Sequence, residues 1–230
     1  MEWLQTILKT DTELFLYLNS FHTDFWDTVM LMVTRKETWI PFFAIIVFWF
    51  FKNYRSKAVF ILFFLALTIV ASDQFSVLLK ETVQRLRPVY NSEIEHLVHN
   101  VLRKGSQYGF VSSHAANSFA ILTFTALIFK NRYYTWLLLF WAVLFSYSRI
   151  YSGVHYPLDI LGGATLGWGL GFLFFKMMMF VENHFFIARF PRVEKTSLGK
   201  TQSQIIYLVF VVLVLTVVIA TSILHHYNYL

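Results

Sequence analysis

Three short fragments of this 230-residue chain carry residue types that suit phosphoryl chemistry: Lys80-x6-Arg87-Pro88, Ser112-Ser113-His114, and Ser148-Arg149-x5-His155-x3-Asp159. Lys80, Arg87 and Arg149 offer up to three positive charges to a phosphate ester, and an arginine can grip two phosphate oxygens at once. His155 and Asp159 stand one helical turn apart if a helix begins by His155. A carboxylate on one imidazole nitrogen fixes the tautomer and makes the other nitrogen the better nucleophile. His114 heads an apolar run directly after Val111-Ser112-Ser113. A helix N-terminus there would present free N–H groups to phosphate oxygens, with His114 placed to protonate a leaving oxygen.

Plainer readings exist for each residue alone. Lys and Arg near the ends of apolar runs ordinarily snorkel to a membrane interface, and a single histidine there is often just amphipathic. Two histidines and a carboxylate could also bind a metal, but three neighbouring cations would repel a divalent ion. His96 and His99 with Glu93 and Glu95 match no strong ligand spacing. Asp73, seven residues before Lys80, reads as a buried partner for one of the site cations or as a pore-facing polar residue. Lys80 and Arg87 would share a helix face if the helix continued, with Pro88 expected to end it.

The elements that must position these groups are apolar. Hydrophobic residues make up 57% of the chain, aromatic residues 20% and charged residues only 14%, where a soluble domain carries about 25% charged. The pattern predicts an all-α, polytopic membrane bundle. Residues 1–37 mix apolar and charged positions and suit interfacial amphipathic helices. Residues 38–181 form the membrane core, with spans expected near Thr38–Phe51, Ala58–Leu79, Ser113–Phe129, Tyr134–Tyr147 and Leu158–Phe180. Residues 182–203, with Arg189, Arg192, Lys195 and Lys200, read as a cytoplasmic loop, and 204–230 as an additional span, making about six. The first and fourth are short against the roughly 20 residues a span needs.

Ten of the 19 Lys and Arg fall on the face of the 52–57, 130–132 and 182–203 loops, while all the candidate site residues fall on the other. Excess Lys and Arg mark the cytoplasmic side, so the site is expected to face the periplasm or an equivalent outside compartment of an inner membrane. Arg35 and Lys36 count against that margin. The +6 net charge is scattered between apolar spans, which argues against nucleic acid as a partner. Cysteine is absent, which removes disulfides and thiolate chemistry. The N-terminus lacks the basic and small-residue features of a removable signal peptide. Gly163, Gly167 and Gly171 at four-residue spacing suit tight helix packing within a monomer or, less economically, a homodimer.

The three fragments together resemble the signature of the type-2 phosphatidic acid phosphatase superfamily, K-x6-R-P, P-S-G-H and S-R-x5-H-x3-D, over about residues 35–180. The first and third motifs match in full. In the second, Val111 stands for the usual proline and Ser113 for the usual glycine, and the added side chain restricts the backbone beside the phosphate. The family pattern often has a span before the interfacial helix, where this chain has one at its C-terminus.

The resemblance implies a helical membrane enzyme that dephosphorylates a lipid through a phosphohistidine, with no metal and no cofactor. His155 would be the nucleophile, His114 the general acid and Asp159 the orienting carboxylate. Lys80, Arg87 and Arg149 would bind phosphate, with Ser112 and the backbone around Ser113 completing the cradle. The expected partner is a membrane lipid phosphate: an isoprenyl diphosphate, phosphatidylglycerol phosphate, phosphatidate or a lipid A phosphate. The Arg87–Val111 loop, with Tyr90, Glu93, Glu95, Arg103 and Lys104, is expected to shape head-group selection. A phosphotransferase using the same phosphohistidine, or a non-catalytic lipid-binding or transport protein, would read similarly.

Overall fold

The structure, a computed structural model, describes residues 2–102, 105–185 and 191–227. Among the described residues the chain is helical, with only an isolated Leu86–Tyr108 bridge outside the helices. The α-helices are α1 (Glu2–Asn19), α2 (Asp24–Thr34), α3 (Ile40–Tyr54), α4 (Lys57–Val83), α5 (Ser113–Phe129), α6 (Arg132–Tyr151), α7 (Pro157–Phe185) and α8 (Lys200–His226).

Local chemistry sets the boundaries that matter for the site. Ser112 and Asn131 cap α5 and α6 by accepting helix N–H groups, Ser112 from Ala115 and Asn131 from Tyr133 and Tyr134, which satisfies donors that a helix start leaves free. Pro41 and Pro157 sit in the first turns of α3 and α7, where a missing N–H costs nothing. The helix carrying Lys80 stops at Val83, earlier than the proline predicts. Gln84 turns left-handed (φ 52°) and returns its N–H to the Lys80 carbonyl. Arg87 therefore belongs to a loop and never shares a helix face with Lys80.

Among the described residues three helices, α4, α7 and α8, are long and apolar enough to cross a membrane, and α5 is apolar but shorter, at 17 residues. The other two expected spans coincide with helices α3 and α6, but these fall short of that standard of length and hydropathy. Large apolar side chains such as Phe63 and Val70 of α4, Leu161 and Trp168 of α7, and Leu208 and Leu215 of α8 stay exposed on the outside of the bundle. That surface suits lipid, and the protein is an integral membrane protein.

Helix α5 lies at the centre and packs most closely on α7. A Cβ added at Gly167 would come within 2.1 Å of the Ala116 carbonyl oxygen, and one at Gly163 within 2.5 Å of the Ser112 oxygen. Only glycine permits that approach, so Gly163 and Gly167 are used for tight packing of α7 on α5 within one chain. Helices α1 and α2 do not simply rest at an interface: Asp11, Phe15 and Asn19 of α1 and Val29, Met30 and Val33 of α2 are buried. At one end of the bundle Tyr54 donates to the Ile128 carbonyl and the Leu198 N–H to that of Phe129, gathering the basic loops. Buried there, Lys57 meets Glu182 at 2.6 Å, and Glu182 also accepts the Val193 N–H. Arg189 lies outside the described residues. The candidate catalytic residues gather at the opposite end.

Candidate active site

Asp159, in the first turn of α7 and fully buried, is the best-anchored group in the site. Its Oδ2 accepts the Tyr156 N–H at 3.0 Å and faces His155 Nδ1 at 3.3 Å, while Oδ1 accepts from Arg85 at 3.1 Å. Its backbone carbonyl takes the Ser112 N–H at 3.0 Å, tying the start of α7 to the start of α5. His155 precedes α7 and is 2% exposed. With Nδ1 turned to Asp159, Nε2 is left to meet an electrophile.

Burial pushes the His155 imidazole down to about 4, against the opposing pull of Asp159. The ring is therefore neutral at physiological pH. As pH falls, the acid limb of kcat/KM assigned to His155 should appear near 4 rather than 6.5, once the substrate's own second ionisation near 6 is divided out. A pH–rate profile on the solubilised protein checks this. A limb at about 6.5 would mean a solvated imidazole.

The remaining predicted residues converge from separate elements. Lys80, on the last turn of α4, donates to Ser113 Oγ at 2.6 Å. Serine in place of the usual glycine is thus already engaged by a site cation. Ser112, fully buried, caps α5 by accepting the Ala115 N–H through its hydroxyl oxygen, which leaves its O–H as a donor. Arg87 is held by the Tyr108 carbonyl and Ser106 Oγ. Arg149 donates to Thr34 Oγ1 at 2.8 Å yet keeps Nε buried without an acceptor. A buried unpaired guanidinium donor is costly unless a ligand oxygen completes it. His114 stacks on Phe145 at 5.1 Å, within electrostatic reach of Lys80, Arg87, Arg149 and His155. Val111, in place of proline, is 2% exposed and packs where Gly162 leaves room: a Cβ at Gly162 would meet its Cγ1 at 2.9 Å.

Two further residues singled out in the sequence have clear surroundings. Asp73 makes no direct ion pair among the described residues but lies within electrostatic reach of Lys80, and it also lines a cavity beside His114. His99 does not group with Glu93, Glu95 and His96 as metal ligands. It stacks on His22 at 3.7 Å and sets Nε2 2.9 Å from both Asp27 carboxylate oxygens, fastening the loop to α2. Arg103 and Lys104 lie outside the described residues.

Sequence reading missed three residues. Arg85 bridges Asp159 to Asp11 of α1, at 2.6 Å, and lies over the Tyr156 ring at 4.1 Å. Asp11 is 5% exposed and also accepts the Leu158 N–H at 2.9 Å. Burial raises its carboxyl, while Arg85 and that N–H oppose the shift. Gly109 is the third: a Cβ there would come within 2.9 Å of Asp159 Oδ2, 3.1 Å of Arg87 and 3.6 Å of His155 Nδ1. The signal for Asp11 was faint but present, since Asp11, Phe15 and Asn19 recur every fourth position and so share one face of α1.

Comparison with known proteins bears on this geometry. The PAP2 superfamily model matches residues 57–183. The chain is 40% identical over 176 residues to a lipid A 4'-phosphatase of Bacteroides thetaiotaomicron, covering 75% of this chain and 78% of that protein. It is 31% identical over 191 residues to a lipid A 4'-phosphatase of Porphyromonas gingivalis, covering 82% and 81%. Among solved structures, a transmembrane PAP2-type phosphatidylglycerolphosphate phosphatase from Bacillus subtilis superposes with a TM-score of 0.60 at 22% identity, covering 78% of this chain and 89% of that one. The fold, the three motifs in order and a family match over more than half of the sequence agree: the chain belongs to the PAP2 superfamily.

Proposed function

We propose that this membrane lipid phosphatase removes a phosphate from a glycolipid of the lipid A class, without metal, through a phosphohistidine at His155. The observation that carries the reading is the buried His155–Asp159 pair set among Lys80, Arg87 and Arg149, with His114 on the neighbouring helix. The kinship to two lipid A 4'-phosphatases supports the substrate class.

The steps follow from the chemistry of these groups. His155 Nε2 attacks phosphorus in line as the bond to the sugar oxygen breaks, and His114 gives that oxygen a proton. Lys80, Arg87 and Arg149 hold the equatorial oxygens, where charge is stabilised without a metal. Water, deprotonated by His114, then attacks the phosphohistidine and releases inorganic phosphate, restoring both histidines. Asp159 holds the tautomer throughout and stabilises positive charge on the His155 ring.

Purified protein should release phosphate from a lipid A phosphate in excess chelator, faster than from undecaprenyl diphosphate, phosphatidylglycerol phosphate or phosphatidate. Vanadate should inhibit by occupying the same cradle as a five-coordinate mimic. Loss of activity in chelator, restored by Mg²⁺ or Zn²⁺, would point to metal catalysis instead.

The membrane arrangement belongs to the same proposal: α3 to α8 as six spans, residues 1–37 near the interface, 38–181 as the catalytic core, 182–203 as a cytoplasmic loop and 204–230 as an added span. The site then faces outward. The native chain has no cysteine, and Ser92 and Ser197 are exposed in loops at opposite ends of the bundle. With Ser92→Cys and Ser197→Cys made singly, an impermeant maleimide should label whole cells at 92 and not at 197. The opposite pattern would turn the site to the cytoplasm.

A further inference from the structure

Beside the reactive residues lies a cavity of about 500 Å³, within the range of roughly 300–1,000 Å³ that holds drug-sized ligands. A phosphate group would occupy only a small part of it. Ser113 and His114 form one edge. Its other walls come from the turn joining α2 to α3, from α4, from deeper in α5, and from α6.

The lining has two characters at once. Arg35, Lys36 and Glu37, exposed at its rim, and Asp73, within electrostatic reach of Lys80, line this space. Two cations and two carboxylates cancel in charge. A diphosphate would bring further negative charge up against Glu37 and Asp73, which disfavours it there. Phe43, Ile69 and Ile121 line the cavity as well and can take apolar parts of the same substrate, while Arg35, Lys36 and Glu37 are exposed at its rim.

The second character is aromatic and amide. Trp39, Trp141 and Phe145 wall the cavity. Trp141 is 2% exposed and its Nε1 has no acceptor, while Asn117, also in the lining, keeps Oδ1 buried without a donor. One orphaned donor and one orphaned acceptor in the same wall call for a ligand that can both accept and donate. Ring faces provide apolar surface for the C–H side of a flat, hydroxylated ring, and carboxylates accept hydroxyl hydrogens.

We infer that this cavity is the pocket for the sugar head of the substrate, in which Glu37, Asp73, Asn117 and Trp141 read hydroxyl and amide groups of the ring that carries the scissile phosphate. The assignment rests on the phosphatase reading of the adjacent site and makes the turn before α3 a specificity element. It places selection away from the Arg87–Val111 loop. Arg35 and Lys36 hold the cavity's net charge at zero, so the phosphate is drawn to Lys80, Arg87 and Arg149 and not to the head pocket.

The test compares three substrates on the full-length protein: a phosphorylated acyl-glucosamine lipid, phosphatidate of matched acyl chains, and p-nitrophenyl phosphate, which is too small to fill the cavity. Glu37→Gln changes an exposed residue and spares the fold, and Asp73→Asn is its companion inside the cavity. The wild type should favour the sugar lipid over phosphatidate by about tenfold or more in kcat/KM, the scale of one hydrogen bond to a charged group. Each variant should reduce that preference about tenfold, through KM rather than kcat, when normalised to p-nitrophenyl phosphate. Equal loss on all three substrates, or a wild type that favours phosphatidate, overturns the sugar pocket while leaving the phosphatase intact. No release from any of the three overturns the phosphatase reading itself, and the pocket with it.

Discussion

Alanine in place of His155 is expected to leave a folded membrane protein that releases no measurable phosphate. The ring is buried against Asp159, and no other imidazole among the described residues contacts that carboxylate. Removing a nucleophile that acts with its partners as a unit costs on the order of 10⁴-fold or more in kcat. Because truncation of a buried ring also leaves a void, thermal unfolding in detergent should be followed alongside, and His155→Asn provides a closer fit to the space. Acid-labile, alkali-stable phosphate trapped on the wild type after a rapid quench, and absent from both variants, would place the phosphoryl group on this nitrogen. Wild-type release rates in either variant would remove His155 from the reaction.

Arg85→Gln should be the next most damaging change, although Arg85 touches no part of a bound phosphate in this proposal. Its guanidinium spans Asp159 and Asp11, two buried carboxylates that both lose a charged partner when it goes. Leaving buried charge unpaired costs about 3–5 kcal/mol, which the site can avoid only by protonating a carboxylate or by moving. Either response misplaces His155, and a displacement of about 1 Å near the chemistry costs on the order of 10²-fold. The loss should fall on kcat and shift the acid limb of the pH profile, with KM little changed. Asp11→Asn should produce a weaker version of the same pattern, and the double variant should lose less than the product of the two. A double variant whose losses multiply would separate Asp11 from the site.

The motif residues were legible because the cations, histidines and carboxylate sit at fixed short spacings beside apolar runs. The helix positions were legible for the same reason, as the long apolar stretches of α4, α7 and α8 have no alternative to helix in lipid. Arg85 was not legible, since its partners lie 74 residues away in each direction and nothing local marks it apart from Arg87. Gly109 needed no turn or positive φ to explain it; only the packed neighbours Asp159 and His155 reveal why a side chain is excluded. Asp73 was legible as a charge with two readings, partner to a site cation or pore-facing group, and its place beside Lys80 in the cavity wall fits both. What the sequence hid was the contribution of α5 and α6 to that cavity.

The bond from Asp11 to Arg85 and to the Leu158 N–H sets a timetable. Asp11 is synthesised well before the groups it serves, which emerge roughly 75 and 150 residues later. Until α7 has been threaded and its first turn has met α1, the Arg85 bridge between Asp159 and Asp11 cannot close. Assembly of the site therefore waits on contacts that close between residues roughly 75 and 150 positions apart.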